Sequence, residues 1–157
     1  MNILLAGDLI TCAKYVCAKI PKCHRLILTD KNIPKGNYNG HVFRISVQEK
    51  LFGGLFSLFD FNVVVFVMRQ VETQDTLRSG SLEDLMKLLS LCMLHNINRF
   101  ILVSSTEVCG YPEAGESETV QPRSPMGMLL ESAEKMCISY GNTTENRESL
   151  ILRIPYL

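Results

Sequence analysis

Ser105 and Thr106, followed by Glu107, close the apolar run Arg99-Phe-Ile-Leu-Val103-Ser104. Hydroxyls beside a carboxylate can orient a substrate oxygen and move a proton. Glu107 shares its stretch of chain with Glu113, Glu116 and Glu118. Two of these carboxylates could serve as acid and base; the alternative is a solvated acidic loop. A second group lies near the N-terminus. Gly7 ends the apolar run Asn2-Ile-Leu-Leu-Ala6, and Asp30 ends another, Arg25-Leu-Ile-Leu-Thr29. A glycine after a first strand allows a tight turn, and an acidic residue after the second can bond a ribose hydroxyl. Asp30 is therefore either a ribose ligand or a solvated loop aspartate.

Six cysteines are present, with no Cys-x-x-Cys pair. Cys12, Cys17, Cys23 and His24 follow no standard zinc spacing, so buried structural thiols are expected and no metal. His24, His41 and His95 are scattered. His95 falls near an expected helix C-terminus, where a cation is favourable.

These groups need a scaffold, and 157 residues suit one domain. Basic and acidic residues balance at 16 each, with no basic stripe, which argues against nucleic acid as a partner. The N-terminus lacks the pattern of a signal peptide, and no apolar run has the length of a membrane span. The expectation is a cytoplasmic protein with reduced thiols and no membrane contact.

Apolar runs predict strands over 2–6, 25–29, 41–45, 62–68, 99–104 and 150–154. Helices are predicted over 9–19, 47–58, 81–95 and from 125 to about 140. Gly53-Gly54 weakens the second. Ser81 is a good N-cap with Asp84 three residues on, and Ser124-Pro125 caps and starts the last helix. The 81–95 helix is apolar nearly all round, so it must bury more than one side. Met126, Leu129, Leu130, Ala133, Met136, Cys137 and Tyr140 share one face of the last. Alternating strands and helices predict an α/β doubly wound parallel sheet, Rossmann-like, with about six strands and helices on both faces.

The stretch Arg99 to Pro112, then Pro122-Arg-Ser-Pro-Met-Gly-Met-Leu-Leu-Glu131, with Leu152-Arg-Ile-Pro-Tyr-Leu157, resembles the NAD-dependent epimerase/dehydratase family, the extended short-chain dehydrogenase/reductases. The resemblance implies NAD or NADP as cofactor and a Gly-x-x-Gly-x-x-Gly turn. Gly7 fills its first place, Ile10 its second and Ala13 its third. Gly7, Ala13 and Asp30 are then the candidate cofactor residues. Ile10 would occupy the approach to the phosphates, and Asp8 would repel them. Met68 and Arg69 stand where small residues would flank the adenosine. In the catalytic place, Ser105 matches the family's substrate-orienting hydroxyl. The family's Tyr-x-x-x-Lys pair falls on Met126 and Leu130. Methionine moves no proton and leucine carries no charge. The expected reading of both is a helix packing face.

The family continues for about as many residues again, so a C-terminal substrate domain is expected to be absent from 1–157. Two losses, in the glycine turn and in the Tyr/Lys pair, point to a pseudoenzyme-like Rossmann domain with a regulatory or interaction role. The expected partner is a second copy or another domain, through helices 81–95 and 125–140, with Leu89 at the contact. The alternatives are an NAD(P)-dependent nucleotide-sugar epimerase, dehydratase or reductase domain, and a nucleotide or small-ligand sensor.

Overall fold

The computed structural model describes residues 1–10, 12–69, 80–110 and 119–155. The strands are β1 (Asn2–Gly7), β2 (Arg25–Thr29), β3 (His41–Phe43), β4 (Val63–Val67), β5 (Arg99–Ser105) and β6 (Glu148–Ile154). The helices are α1 (Ala13–Lys19), α2 (Gly54–Leu58), α3 (Leu82–Leu94) and α4 (Pro125–Gly141). All strands pair in parallel, in the order β3-β2-β1-β4-β5-β6. That is the order of the doubly wound dinucleotide-binding fold, whose direction reverses between β1 and β4.

Alternate residues of each strand feed two cores. Leu4, Ala6, Val64, Phe66, Phe100 and Leu102 pack with α2, α3 and α4. Ile3, Leu5, Leu26, Leu28, Val63 and Val67 pack with α1 and Leu9. β4 is apolar on both faces because helices lie on both sides of it. β1 and β4 are joined most tightly at their C-terminal ends. Gly7 adopts φ +106°, and a Cβ there would lie 2.1 Å from the Val67 carbonyl oxygen.

Several boundaries differ from expectation. Regular α1 starts at Ala13, not residue 9: its N-cap, Cys12, makes no side-chain cap, and the preceding turn is held by aspartates instead. The expected 47–58 helix is a 3₁₀ turn, Lys50–Gly53, running into the short α2, since paired glycines favour no long helix. β3 stops at Phe43, where its pairing with β2 ends. β5 extends to Ser105 and β6 begins at Glu148, because the two strands pair along seven residues.

α3 begins as read. The Ser81 hydroxyl accepts from Asp84 N–H (3.1 Å), and the Asp84 carboxylate accepts from Ser81 N–H (3.2 Å). Asp84 is buried, and it also accepts from Gly80 N–H and Gln48 Nε2. Only one side of α3 is buried, through Leu85, Leu88, Leu89 and Cys92, while Met86, Met93 and Leu94 are exposed. His95 forms the C-cap and sets its ring 5.2 Å from that of Phe56.

None of the six cysteines forms a disulfide. Burial pushes the Cys12 thiol up to about 11, helped by the charge of Asp8, and Cys137 up to about 12, helped by Glu134. Burial raises Cys92 as well. No helix among the described residues is long and apolar enough to cross a membrane.

Two stability predictions follow from these contacts. Gly7→Ala forces a side chain into the Val67 carbonyl and is expected to cost about 2 kcal/mol or more, read by urea unfolding. The raised thiols set an alkaline limit. Unfolded thiols ionise near their ordinary 9.0 while the buried ones stay neutral. Their contribution is thus complete below pH 9 and lost as pH rises through the folded values. Urea midpoints measured from neutral to alkaline pH should hold up to about 9 and then fall, and a Cys137→Ala variant should fall less.

Candidate functional site

Two groups of candidate residues sit at the C-terminal ends of the strands, where ligands of this fold class bind. The first surrounds the β1–β4 junction. The Asp8 N–H donates to the Val67 carbonyl (3.0 Å), and the Asp8 carboxylate accepts from Ile10 N–H (3.4 Å). Asp30 is 1% exposed, so it is not a solvated loop residue. One of its oxygens accepts from Leu9 N–H and the other from Asn32 N–H, both at 2.9 Å. Asp30 thereby ties the end of β2 to the turn after β1. The need is physical: the turn's buried N–H groups lack helical partners, and a carboxylate supplies them. Ala13 is 1% exposed and packs under the sheet with Cys17. Gly7, Ala13 and Asp30 are therefore brought close along one turn.

Asp8, by contrast, is 9% exposed, and Ile10 stands 37% exposed above the same turn. Met68 does not narrow the crevice. It is 1% exposed and points into the α2–α3–α4 core. The Arg69 N–H donates to the Gly80 carbonyl (2.9 Å), which draws residue 80 back over the ends of β1 and β4. At the place of the turn's second glycine the chain carries Ile10, and the buried Asp8 carboxylate lies beside it.

The second group lies at the end of β5. Ser105 is 1% exposed, and its hydroxyl accepts from Glu107 N–H (3.2 Å), capping the 3₁₀ turn Thr106–Cys109. Glu107 is not part of a solvated loop. It is half-buried, and its carboxylate accepts from the Ser124 hydroxyl. Ser124 in turn accepts from Gly127 N–H and caps α4. Ser105 thus caps the turn, and Glu107 fixes the turn to the helix. Glu113, Glu116 and Glu118 lie outside the described residues.

On α4, Met126 is 8% exposed and Leu130 is fully buried, both in the main core. They sit one turn apart on the inward face, with Ala133, Cys137 and Tyr140 below. Neither can exchange a proton.

One feature of this helix was missed in the sequence. Glu134 is 3% exposed and pairs with Arg153 of β6 through two contacts, 3.1 and 2.8 Å. The Arg153 guanidinium also reaches the Cys109 sulfur (3.8 Å). The hydrogen bonds that Arg153 donates to Glu134 raise the arginine pKa further. A glutamate on the apolar stripe of α4, opposite the lone arginine of β6, was the available signal. Among the described residues, no group of three His, Cys, Asp or Glu could hold a metal.

Removing the Asp30 carboxylate should leave two N–H groups of the turn without acceptors. Asp30→Ala is expected to lower stability by about 2–4 kcal/mol, and Asp30→Asn, which keeps one acceptor oxygen, by less. Chemical denaturation of both variants checks the order.

No protein-family model and no curated protein matches the sequence. Solved structures do match by shape. UDP-glucose 4-epimerase from Thermotoga maritima, solved with UDP-glucose, superposes with TM-score 0.78 at 20% identity, over 98% of this chain and 55% of its own. UDP-glucuronic acid 4-epimerase from Bacillus cereus, solved with NAD, gives 0.77 at 20% identity, over 98% and 56%. The UDP-Glc/GlcNAc 4-epimerase from Campylobacter jejuni gives 0.75 at 18% identity, over 97% and 52%. The chain spans about half the length of each. The chain therefore has a Rossmann-like α/β fold of the kind seen in these epimerases.

Proposed function

We propose that this chain is a non-catalytic Rossmann-like domain that acts by association, as a regulatory or architectural part of a dimer or larger protein. The observation that carries the reading is the burial of Met126 and Leu130. They hold the places that the resemblance assigns to the acid/base tyrosine and its lysine, and both are core residues. Ser105 and Glu107 at the end of β5 support it, since the Ser105 hydroxyl caps the following turn and the Glu107 carboxylate holds Ser124 at the start of α4.

The surface offered for association lies between α3 and α4. The two helices leave an open groove of about 450 Å³ lined by Met86, Leu89, Met93, Met136 and Tyr140, with serines at its edges. Met128 and Ile138 of α4 are exposed outside it. A second copy is the occupant favoured here. The resemblance implies pairing through these same two helices, and a two-fold contact needs one self-complementary patch. Flexible methionine side chains adapt to such a surface.

The competing reading is an NAD(P)-dependent domain acting on a nucleotide sugar, or a sensor of such a ligand. It draws on the shared fold and on structural neighbours solved with NAD. In that reading the chemistry would fall to Ser105 and Glu107, or to chain outside 1–157.

Leu89 is only 7% exposed and belongs to the core, so a charge there would damage the fold. Met86 and Met93, at 54% and 48% exposed, are the better probes. Sedimentation velocity should show the wild type as a dimer. Met86→Glu with Met93→Glu should sediment as a monomer with an unchanged far-ultraviolet circular dichroism spectrum. A wild type that is monomeric at tens of micromolar would remove the self-association reading.

A further inference from the structure

The α3–α4 groove ends on a cation. Arg147 lies on the turn between α4 and β6, beside Tyr140 and Thr143, which line that end of the groove. Its guanidinium stands 5.2 Å from the centre of the Tyr140 ring and donates to the Thr143 hydroxyl at 2.7 Å. Its charge also reaches the Cys92 thiol of α3, so the group sits between the C-terminal ends of the two helices. Arg147 is half-buried, and among the described residues its Nε is buried without a hydrogen-bond partner and no carboxylate pairs with it. A cation drawn partly out of water and left unneutralised favours an anion from elsewhere.

A carboxylate stands at the other end of the same surface. Glu83 is exposed in the first turn of α3, three residues before Met86 and seven before Ser90, hence on the stripe that lines the groove. Asp84 is engaged in the α3 cap, and Glu131 is paired with Lys135 on its own helix. α3 and α4 each return the chain between parallel strands, so they run the same way, with Glu83 at one end and Arg147 at the other. From Glu83 to the level of Cys92 is about 13 Å along the helix. The halfway level falls near Lys87, within one turn of the middle of the groove between Met86 and Met93. A second copy can face this surface in two ways. With the two-fold axis along the helices, Glu83 meets the partner's Glu83, and like charges gather at both ends. With the axis across the helices, the copy runs end for end, and each Glu83 comes over the partner's Arg147. We propose that α3 and α4 pair end for end with a second copy, and that two symmetry-related Glu83–Arg147 contacts fix the register. The inference rests on the association reading given above. Methionine against methionine between the two contacts adheres without selecting a register, so the charges supply the orientation.

The experiment is sedimentation equilibrium on the wild type, Glu83→Lys and Arg147→Glu, the two variants alone and mixed. Each variant alone sets like charges together at both contacts and should dimerise about tenfold more weakly or worse. In the mixture, a heterodimer of the two variants has opposite charges at both contacts. It should form with wild-type affinity to within about threefold. Rescue by mixing arises only across an interface, so it separates the pairing from a structural role of either residue. Single variants that dimerise as the wild type does, or a mixture without rescue, overturn the pairing. A wild type that is monomeric at tens of micromolar overturns the association reading and the pairing with it. A dimer that Met86→Glu with Met93→Glu dissociates, but that the charge reversals leave intact, overturns the pairing alone. Should Arg147→Glu unfold, salt dependence of Glu83→Lys and the wild type decides. Association of the wild type should weaken from low to high salt and that of Glu83→Lys should strengthen. The same response from both overturns the pairing.

Discussion

The contact on which most of this molecule depends is the approach of β1 to β4 at Gly7. The two strands are central, and the sheet reverses its direction of growth between them. The Cα of Gly7 lies so close to the Val67 carbonyl that no side chain fits there. That approach lets the Asp8 N–H reach Val67 and so fixes where the chain turns back toward α1. It also decides where residue 80 re-enters, since Gly80 packs on the same carbonyl.

A second fixed turn lies at the end of β5. Ser105 and the turn Thr106–Cys109 have the hydroxyls and the carboxylate that proton transfer would use, but the Ser105 hydroxyl caps the turn and the Glu107 carboxylate is bonded to Ser124 at the start of α4. The inward face of α4 then carries methionine and leucine in the core. Burying these side chains contributes roughly 1.5–3 kcal/mol apiece relative to exposure. A tyrosine and a lysine facing a ligand would have to stay accessible and would contribute less to packing. Tyr140 shows what a phenol does on this face when it is buried. Its hydroxyl donates to the Ile97 carbonyl, and burial with the neighbouring Cys92 pushes its pKa up to about 12. It serves as a structural hydrogen-bond donor.

Fold class and the two capped helices were legible because they rest on local signals. Apolar runs of strand length, the valine run of β4, the Ser81–Asp84 box and Ser124-Pro125 each act within a few residues. What was not legible depended on residues distant in sequence. Asp30 reads as a loop aspartate until the turn after β1, some twenty residues earlier, is placed against it. Met68 reads as a groove residue until β4 is paired with β5 and its side chain turns inward. Glu107 reads as one acid among several until Ser124 comes to it from the start of α4. Glu134 and Arg153 each look like surface charges, and only the packing of α4 on β6 makes them a pair. Polar side chains that repair the backbone at turns have no periodicity, so a pattern reading misses them by construction.

The register of the sheet adds a last constraint on any assembly. Leu28, Leu5, Val65, Ile101 and Leu150 form one cross-strand row on the α1 face. At the β2 and β1 end the row is sealed: Leu28 is fully buried and Leu5 is 1% exposed. Cover thins across β4 and β5, and Leu150 is 51% exposed. Leu152 repeats the pattern one row on, beside Val103. The seven residues of α1 are too few to span the sheet, since a helix rises only about 1.5 Å per residue. Parallel sheets are stable when both faces are covered, and here the β4–β6 half of one face is thinly covered while α2, α3 and α4 fill the other. A copy seated on α3 and α4 would bury the methionine surface and leave this row untouched, because the two lie on opposite sides of the sheet. Among the described residues, the apolar surface of α3 and α4 and the exposed leucines of β6 are therefore separate surfaces.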